Sequence, residues 1–280
     1  MSTKKFLDMV TYAVLLLLSL LVVIPFVLIV SNIAINGVGN LSIELITQLP
    51  SEMGLKGGIL NAIVGTFYLI IIAAVVSVPL SVGAAVYISE YTRSGRVREM
   101  IEFMSDVLSG IPSIVFGAFG FTFFVYYMNM GISLLAGALT LAVMMIPTVL
   151  RATEESLKAV SRSLREASYA LGATRWTTTW SITIRSALPG VLTGVLLAIG
   201  RIGGETAPLL FTAGYNIYLP TSLFDWTASL PFIIFIFTES PFPQLHAKAF
   251  AASFILVIMM LGINLTTKII SRRLSRGVVE

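Results

Sequence analysis

The sequence predicts an all-α, polytopic integral membrane protein with six transmembrane helices. Three observations carry that expectation. The chain is 56% hydrophobic and only 11% charged, with a mean hydropathy of +0.93, far from the balance of a soluble domain. Apolar runs long enough to cross a bilayer recur at 10–30, 59–88, 107–127, 132–150, 188–211 and 249–270. With the N-terminus placed inside, all 18 Lys and Arg residues except Lys56, Lys248 and Arg201 fall in cytoplasmic segments, as the positive-inside rule expects. The pI near 9.4 is then a record of topology and not a nucleic-acid footprint. Both termini are expected in the cytoplasm.

Each element follows in order. Lys4 and Lys5 precede a first run that is long for a signal-peptide core and lacks a small-x-small site after it, so an uncleaved helix is expected. The outer loop at 31–58 is polar, with Glu44 and Glu52 against Lys56. Residues 1–58 form the first helix and its loop, and 59–280 a five-helix core within one transmembrane domain. The second run exceeds a bilayer's thickness and is expected to tilt, or to continue into the cytoplasm beyond Pro79. The segment 91–105, with Arg93, Arg96, Arg98, Glu99 and Glu102, predicts a short cytoplasmic helix. A tight outer turn at Asn129 and Gly131 makes the third and fourth helices antiparallel neighbours.

The one sizeable cytoplasmic piece is the loop at 151–187. Leu164, Ala167, Ala170 and Leu171 fall on one helical stripe. Gly172 suits a helix end that needs positive φ, and Trp176 and Trp180 share a face fit for the membrane interface. A short helix, a glycine break and a second short helix are expected. Beyond the fifth run, the apolar stretch 230–237 is too short to cross. It predicts an interfacial or re-entrant segment, or a docking surface for an outside partner, to which Asp225 and Trp226 are further candidates.

Chemistry concentrates at Arg201 and Glu205, set inside the fifth apolar run. A charge at the centre of a bilayer costs at least about 2.5–3.5 kcal/mol, so it marks a partner or a task. On a continuous helix the two side chains share one face, roughly 6 Å apart along the axis. They either pair with each other and fix helix packing, or offer a cation and an acceptor to a crossing anion. A guanidinium binds an oxyanion in a bidentate way. Near neutral pH phosphate still carries a proton that Glu205 can accept, whereas sulfate meets only repulsion there. Thr206 adds a hydroxyl, and Gly200, Gly203 and Gly204 allow close approach. Arg151, just after Pro147 at the inner end of the fourth run, is either an exit point for the anion or a positive-inside anchor.

Other chemistries lack their residues. There is no cysteine for a disulfide or a thiolate site, and the single His246 sits in an outer loop as an expected surface residue. No catalytic triad appears. No Gly-Lys-Ser/Thr occurs, so the chain carries no ATP site of its own.

Glu166-Ala167-Ser168-x3-Gly172, followed by nine residues to Ile182, resembles the cytoplasmic loop of ABC importer permeases, Glu-Ala-Ala-x3-Gly-x9-Ile-x-Leu-Pro. Ser168 replaces the second Ala, Ile184 the Leu and Arg185 the Pro, with Leu188-Pro189 a little downstream. The stretch from Gly200 to Phe211, which holds Arg201, Glu205 and Thr206, is similar to the fifth-helix signature of the phosphate-specific subfamily. Residues 146–155 and 163–172 fit it too, and the likeness runs from Val107 onward, nearest to the subfamily's A-type subunits.

The resemblance implies type I importer architecture and a transport subunit of the cell (inner) membrane, without enzymatic activity or cofactor of its own. It implies a homologous C-type permease as partner, with the first helix wrapping it or flanking the core. It also implies two ATP-binding subunits that hold ATP and Mg, an extracytoplasmic phosphate-binding protein, and inorganic phosphate as substrate. Arg201, Glu205, Thr206 and Arg151 would belong to the pathway; Glu166, Ala167, Ala170, Leu171 and Gly172 would couple to the ATPase. The rival expectations are a permease for sulfate or molybdate, an ion-coupled transporter in which Glu205 carries protons, and a lipid head-group enzyme. The last is disfavoured by the lack of a metal or nucleophile constellation.

Overall fold

The computed structural model describes residues 3–92 and 95–279, with the side chains of 3–6, 53 and 270–279 outside the description. Arg93 and the side chains of Lys4, Lys5, Arg272, Arg273 and Arg276 therefore lie outside the described set. Helix α1 (Thr3–Gly39) leads to α2 (Ile43–Thr47) and a small antiparallel pair, β1 (Pro50–Ser51) with β2 (Lys56–Gly57). Helix α3 (Leu60–Val86) ends in a π-helical turn, Tyr87–Tyr91. Then come α4 (Arg96–Gly110) and α5 (Ser113–Gly120), the latter widening into a π-helix at Phe121–Tyr127. Helix α6 (Leu134–Ala159) is followed by α7 (Arg162–Ala170), α8 (Arg175–Thr178), a π turn at Thr179–Thr183, and α9 (Ile184–Ile202). The chain closes with α10 (Ala207–Thr212), α11 (Leu230–Thr238) and α12 (Pro243–Val279).

Among the described residues five helices are long and apolar enough to cross a membrane, or six if the bent pair α4–α5 counts as one span. The second span runs well past Pro79, from Leu60 to Tyr91. The third span departs from its expected straight course over 107–127. Helices α4 and α5 meet at 104°. Pro112 has no N–H to donate and biases the residue before it toward extended backbone; Ile111 sits at φ −73°, ψ 132°. The turn that follows is as expected, with Asn129 and Gly131 both at positive φ, and α5 returns antiparallel against α6.

The centre of the body is α3, α6 and α9, where Leu69, Ala73, Leu141, Met145, Ala198 and Ile202 are among the buried residues of one cluster. Close approach of α6 and α9 depends on two glycines. Gly190 lies against Ser156 and Gly194 against Ala152, with no room for a Cβ at either. Helix α11 buries one side: Leu230, Ile233 and Phe237 belong to a second cluster with α12 residues Leu245, Ala249 and Ala252, while Phe235 and Ile236 are exposed. The segment 230–237, expected as interfacial, re-entrant or a docking surface, forms a short helix with one side packed on the body. Helix α1 packs on α12 but is otherwise uncovered; the apolar window of its span is 0% buried. Its Gly37 packs on Phe250 and Phe254 of α12.

Candidate functional site

The fifth span breaks where the candidate site begins. Helix α9 ends at Ile202, and Glu205 lies in the turn before α10. Gly203 and Gly204 are poor helix residues, and Pro208 cannot donate to the carbonyl of Gly204, so a continuous helix over 188–211 is not sustained. The expected shared face for Arg201 and Glu205 is thereby corrected. Among the described residues no ion pair joins them, nor does either pair with another group. Arg201 is exposed, while Glu205 and Thr206 are half-buried. Thr193, Leu197, Gly200 and Gly204 are exposed with Arg201 on the open side of the span.

The depth of Arg201 follows from helix register. Gly194 against Ala152 and Gly190 against Ser156 fix α9 antiparallel to α6, which puts Arg201 level with Met145. At 1.5 Å per residue that is about 16 Å from the Leu134 end of α6 and about 21 Å from its Ala159 end. The guanidinium therefore belongs near mid-span. Beyond the break, α10 rests on α5: a Cβ at Gly117 would meet Pro208 Cα at 3.0 Å and Phe211 Cδ2 at 3.0 Å.

Arg151 is not brought to that cluster. It lies about 9 Å further along α6 toward the Ala159 end, where its guanidinium pairs with Asp106 of α4 and also donates to Glu102 O at 3.3 Å. The structure thus gives Arg151 a partner in the bent third span.

The loop at 160–183 forms the expected helix, glycine break and second helix, with Gly172 at φ +81°. The stripe of Leu164, Ala167, Ala170 and Leu171 is exposed, and Leu171 is 89% so. Glu166 is likewise exposed, in a surface pair with Arg162. The Trp176 and Trp180 rings lie 5.2 Å apart. Ser168, the departure from the motif's Ala, is buried, and its hydroxyl meets Thr178 Oγ1 at 2.8 Å across the turn. Behind the stripe the pole is ionic. Glu154, 1% exposed, receives Arg98 Nη2 at 3.0 Å and Lys158 Nζ at 2.6 Å. Arg165 Nη2 reaches Glu90 at 2.8 Å, and Arg175 stands 5.2 Å over the Tyr91 ring.

A family model described as "Binding-protein-dependent transport system inner membrane component" matches residues 77–280. The chain belongs to this family of ABC importer permeases. A "Phosphate transport system permease protein PstA" of Yersinia pestis is 41% identical over 236 residues, 84% of this chain and 80% of its own. A protein of the same description from Haemophilus influenzae is 38% identical over 84% of this chain and 83% of its own. The "Probable ABC transporter permease protein YqgI" of Bacillus subtilis is 37% identical over 85% and 86%. Among solved structures, a bacterial alginate ABC transporter chain superposes with a TM-score of 0.68 at 17% identity over 96% of each chain. A chain of the methionine transporter MetNI gives 0.60 at 19% identity, over 78% of this chain and 94% of that one. Those two bear on the fold alone. This permease is a multi-pass membrane protein and a transport component, not itself an enzyme; ABC importers of this kind work with an ATPase and a binding protein.

Several residues of the permease carry structure that spacing alone did not announce. Asp106, Glu90 and Glu154 meet their cations across gaps of 45, 75 and 56 residues. Asp225 is no bare contact point: its carboxylate accepts from the N–H groups of Thr221 and Ser222, both at 2.8 Å, and from Thr221 Oγ1. Those donors hold its carboxyl below the usual aspartate range. Lys248 donates to Gly54 O at 2.6 Å and Gly57 O at 2.9 Å, tying α12 to the β1–β2 loop. Lone His246 is exposed as expected, its Nε2 2.6 Å from Ser240 O.

Proposed function

We propose that this permease subunit carries inorganic phosphate across the cell membrane, driven by ATP hydrolysis on separate subunits. The observation that carries the reading is Arg201: a mid-span guanidinium on an exposed face, with no ion-pair partner among the described residues. A cation so placed calls for an anion that the chain does not itself supply. The relatives named for phosphate transport identify which anion.

Arg201 binds the phosphate oxygens in a fork, and Glu205 and Thr206 at the break meet its remaining polar groups. Glu205 accepts the proton that phosphate retains and sulfate lacks. The pathway runs between this chain and a homologous C-type permease, toward which the open side of α9 and the exposed side of α1 are turned. The pole bearing α7 faces the cytoplasm together with both termini. There the exposed stripe of α7, with Glu166 and Gly172, docks on one of two ATPase subunits, which bind ATP and Mg; a phosphate-binding protein delivers substrate to the opposite pole. Closure of the ATPases moves α7 and reopens the path to the other side. Opening to water raises the local dielectric around Arg201 and weakens its hold, which permits release. Arg151, already paired with Asp106, joins the exit only if that pair opens.

The test is ATP-dependent uptake of labelled phosphate into vesicles holding the assembled complex. Native protein should import phosphate, and sulfate or molybdate should not compete. Arg201→Gln should assemble and hydrolyse ATP but lose uptake, and Glu205→Gln should let sulfate compete. Normal uptake by Arg201→Gln would remove it from the pathway. Indifference of native protein to phosphate would sink the substrate assignment, and uptake without any ATPase would indicate ion coupling.

A further inference from the structure

Arg165 makes three contacts with one guanidinium. Nη1 donates to Val160 O at 2.7 Å, and Nη2 donates to Leu157 O and to Glu90 Oε1, both at 2.8 Å. The two carbonyls belong to the last turn and C-cap of α6, the negative end of the helix, where Leu157 O also accepts the Val160 N–H at 3.3 Å. Glu90 is 7% exposed and sits in the π turn that ends α3, a local widening of the ladder of the kind frequent at functional sites. Arg165 itself lies on α7, one position before the motif that begins at Glu166.

We infer that Arg165 is the positioning residue that makes α7 and the ends of α3 and α6 move as one piece. This rests on the docking role proposed above for α7. Without the guanidinium, α7 would be joined to the body by a short peptide link to α6 and by the Gly172 turn, about which it can pivot. The buried Ser168–Thr178 hydrogen bond fastens α7 to the start of the fifth span, and Arg175 over the Tyr91 ring ties α8 to the end of α3, but neither bonds α7 directly to the ends of α3 and α6. Arg165 closes that gap. Its fixed fork serves Glu90 and the α6 terminus together, and a lysine ammonium, a point charge on a flexible stem, does not reproduce the geometry. Displacement of α7 therefore reaches α3 and α6 directly, while the exposed surface of α7 stays free.

The experiment uses the whole complex in proteoliposomes and compares native protein with Arg165→Lys, Glu90→Gln and, as control, Arg162→Lys, whose guanidinium is 90% exposed on the same helix. It reads ATPase co-purification, ATP hydrolysis and phosphate imported per ATP. It also reads an environment-sensitive label at Tyr87→Cys, an exposed position at the end of α3 in a chain without other cysteines. Arg165→Lys and Glu90→Gln should retain the ATPase and hydrolyse ATP within about twofold of native, yet import about tenfold less phosphate per ATP. Their ATP-dependent label signal should vanish, and Arg162→Lys should behave as native. Native-like import and label response in both variants would overturn the inference, as would loss of the ATPase, which would make Arg165 a docking residue. If native protein hydrolyses ATP but imports no phosphate, the substrate reading fails. The label signal, which needs no substrate, then decides the role of Arg165 alone.

Discussion

Two charged regions of this permease are built on opposite plans. At the α7 pole every buried acid has a cation: Glu154 has Arg98 and Lys158, and Glu90 has Arg165. At the break in the fifth span, Arg201 and Glu205 have no ion-pair partner among the described residues, and Arg201 faces the open side. The first plan fixes geometry, because breaking a buried pair leaves a charge that nothing compensates. The second keeps charge available, because a site already satisfied by the protein has little to offer a passing ion. The comparison separates charges satisfied within the chain from charges left without an ion-pair partner among the described residues.

The sharpest way to break the comparison is to strip the cations from Glu154. Arg98→Ala with Lys158→Ala should cost about 3–5 kcal/mol of stability, seen as a lower thermal midpoint in detergent; an unchanged midpoint would mean that the pole is not structurally ionic. Arg201→Gln should show the reverse pattern. Uptake should fall about a hundredfold, equivalent to about 2.7 kcal/mol, while the midpoint stays put, since no partner is left stranded. A large drop in midpoint would reveal a hidden partner. Gly194→Val adds bulk where Ala152 already fills the space, and overpacking of this kind should cost about 1–3 kcal/mol. That separates a packing loss from either charge effect, because both uptake and midpoint should decline together.

The smallest effect lies at the pole opposite α7. Asp225 is held below its ordinary range by Thr221 and Ser222, so the 221–225 turn gains its support above the unfolded aspartate value of about 3.9 and loses it as pH falls through the lower folded value. Amide exchange at Thr221 and Ser222 should quicken only in that acidic window. Asp225→Asn should abolish the pH step. A step that persists in the variant would assign the titration to another group.

Much of the fold was legible because its signals are local. A span is announced by its own hydropathy, the end of α7 by Gly172, and the turn at Asn129 and Gly131 by residues that tolerate positive φ. The breaks were announced too, by Pro112 and by Gly203, Gly204 and Pro208, but hydropathy averages over a window and passes straight across them. That is why the third and fifth spans read as continuous helices and Arg201 and Glu205 as sharers of one face.

By itself, then, the sequence determined an all-α membrane chain, its apolar spans and the helix–glycine–helix form of its 160–183 loop, since these depend on composition and short-range order. Only the tertiary structure decided which charges are spent. It gave Arg151 to Asp106 and Arg165 to Glu90, and left Arg201 open at mid-span. The reason is physical: an ion pair is formed by distance in space, and residues 45 or 75 positions apart meet only once the helices have packed.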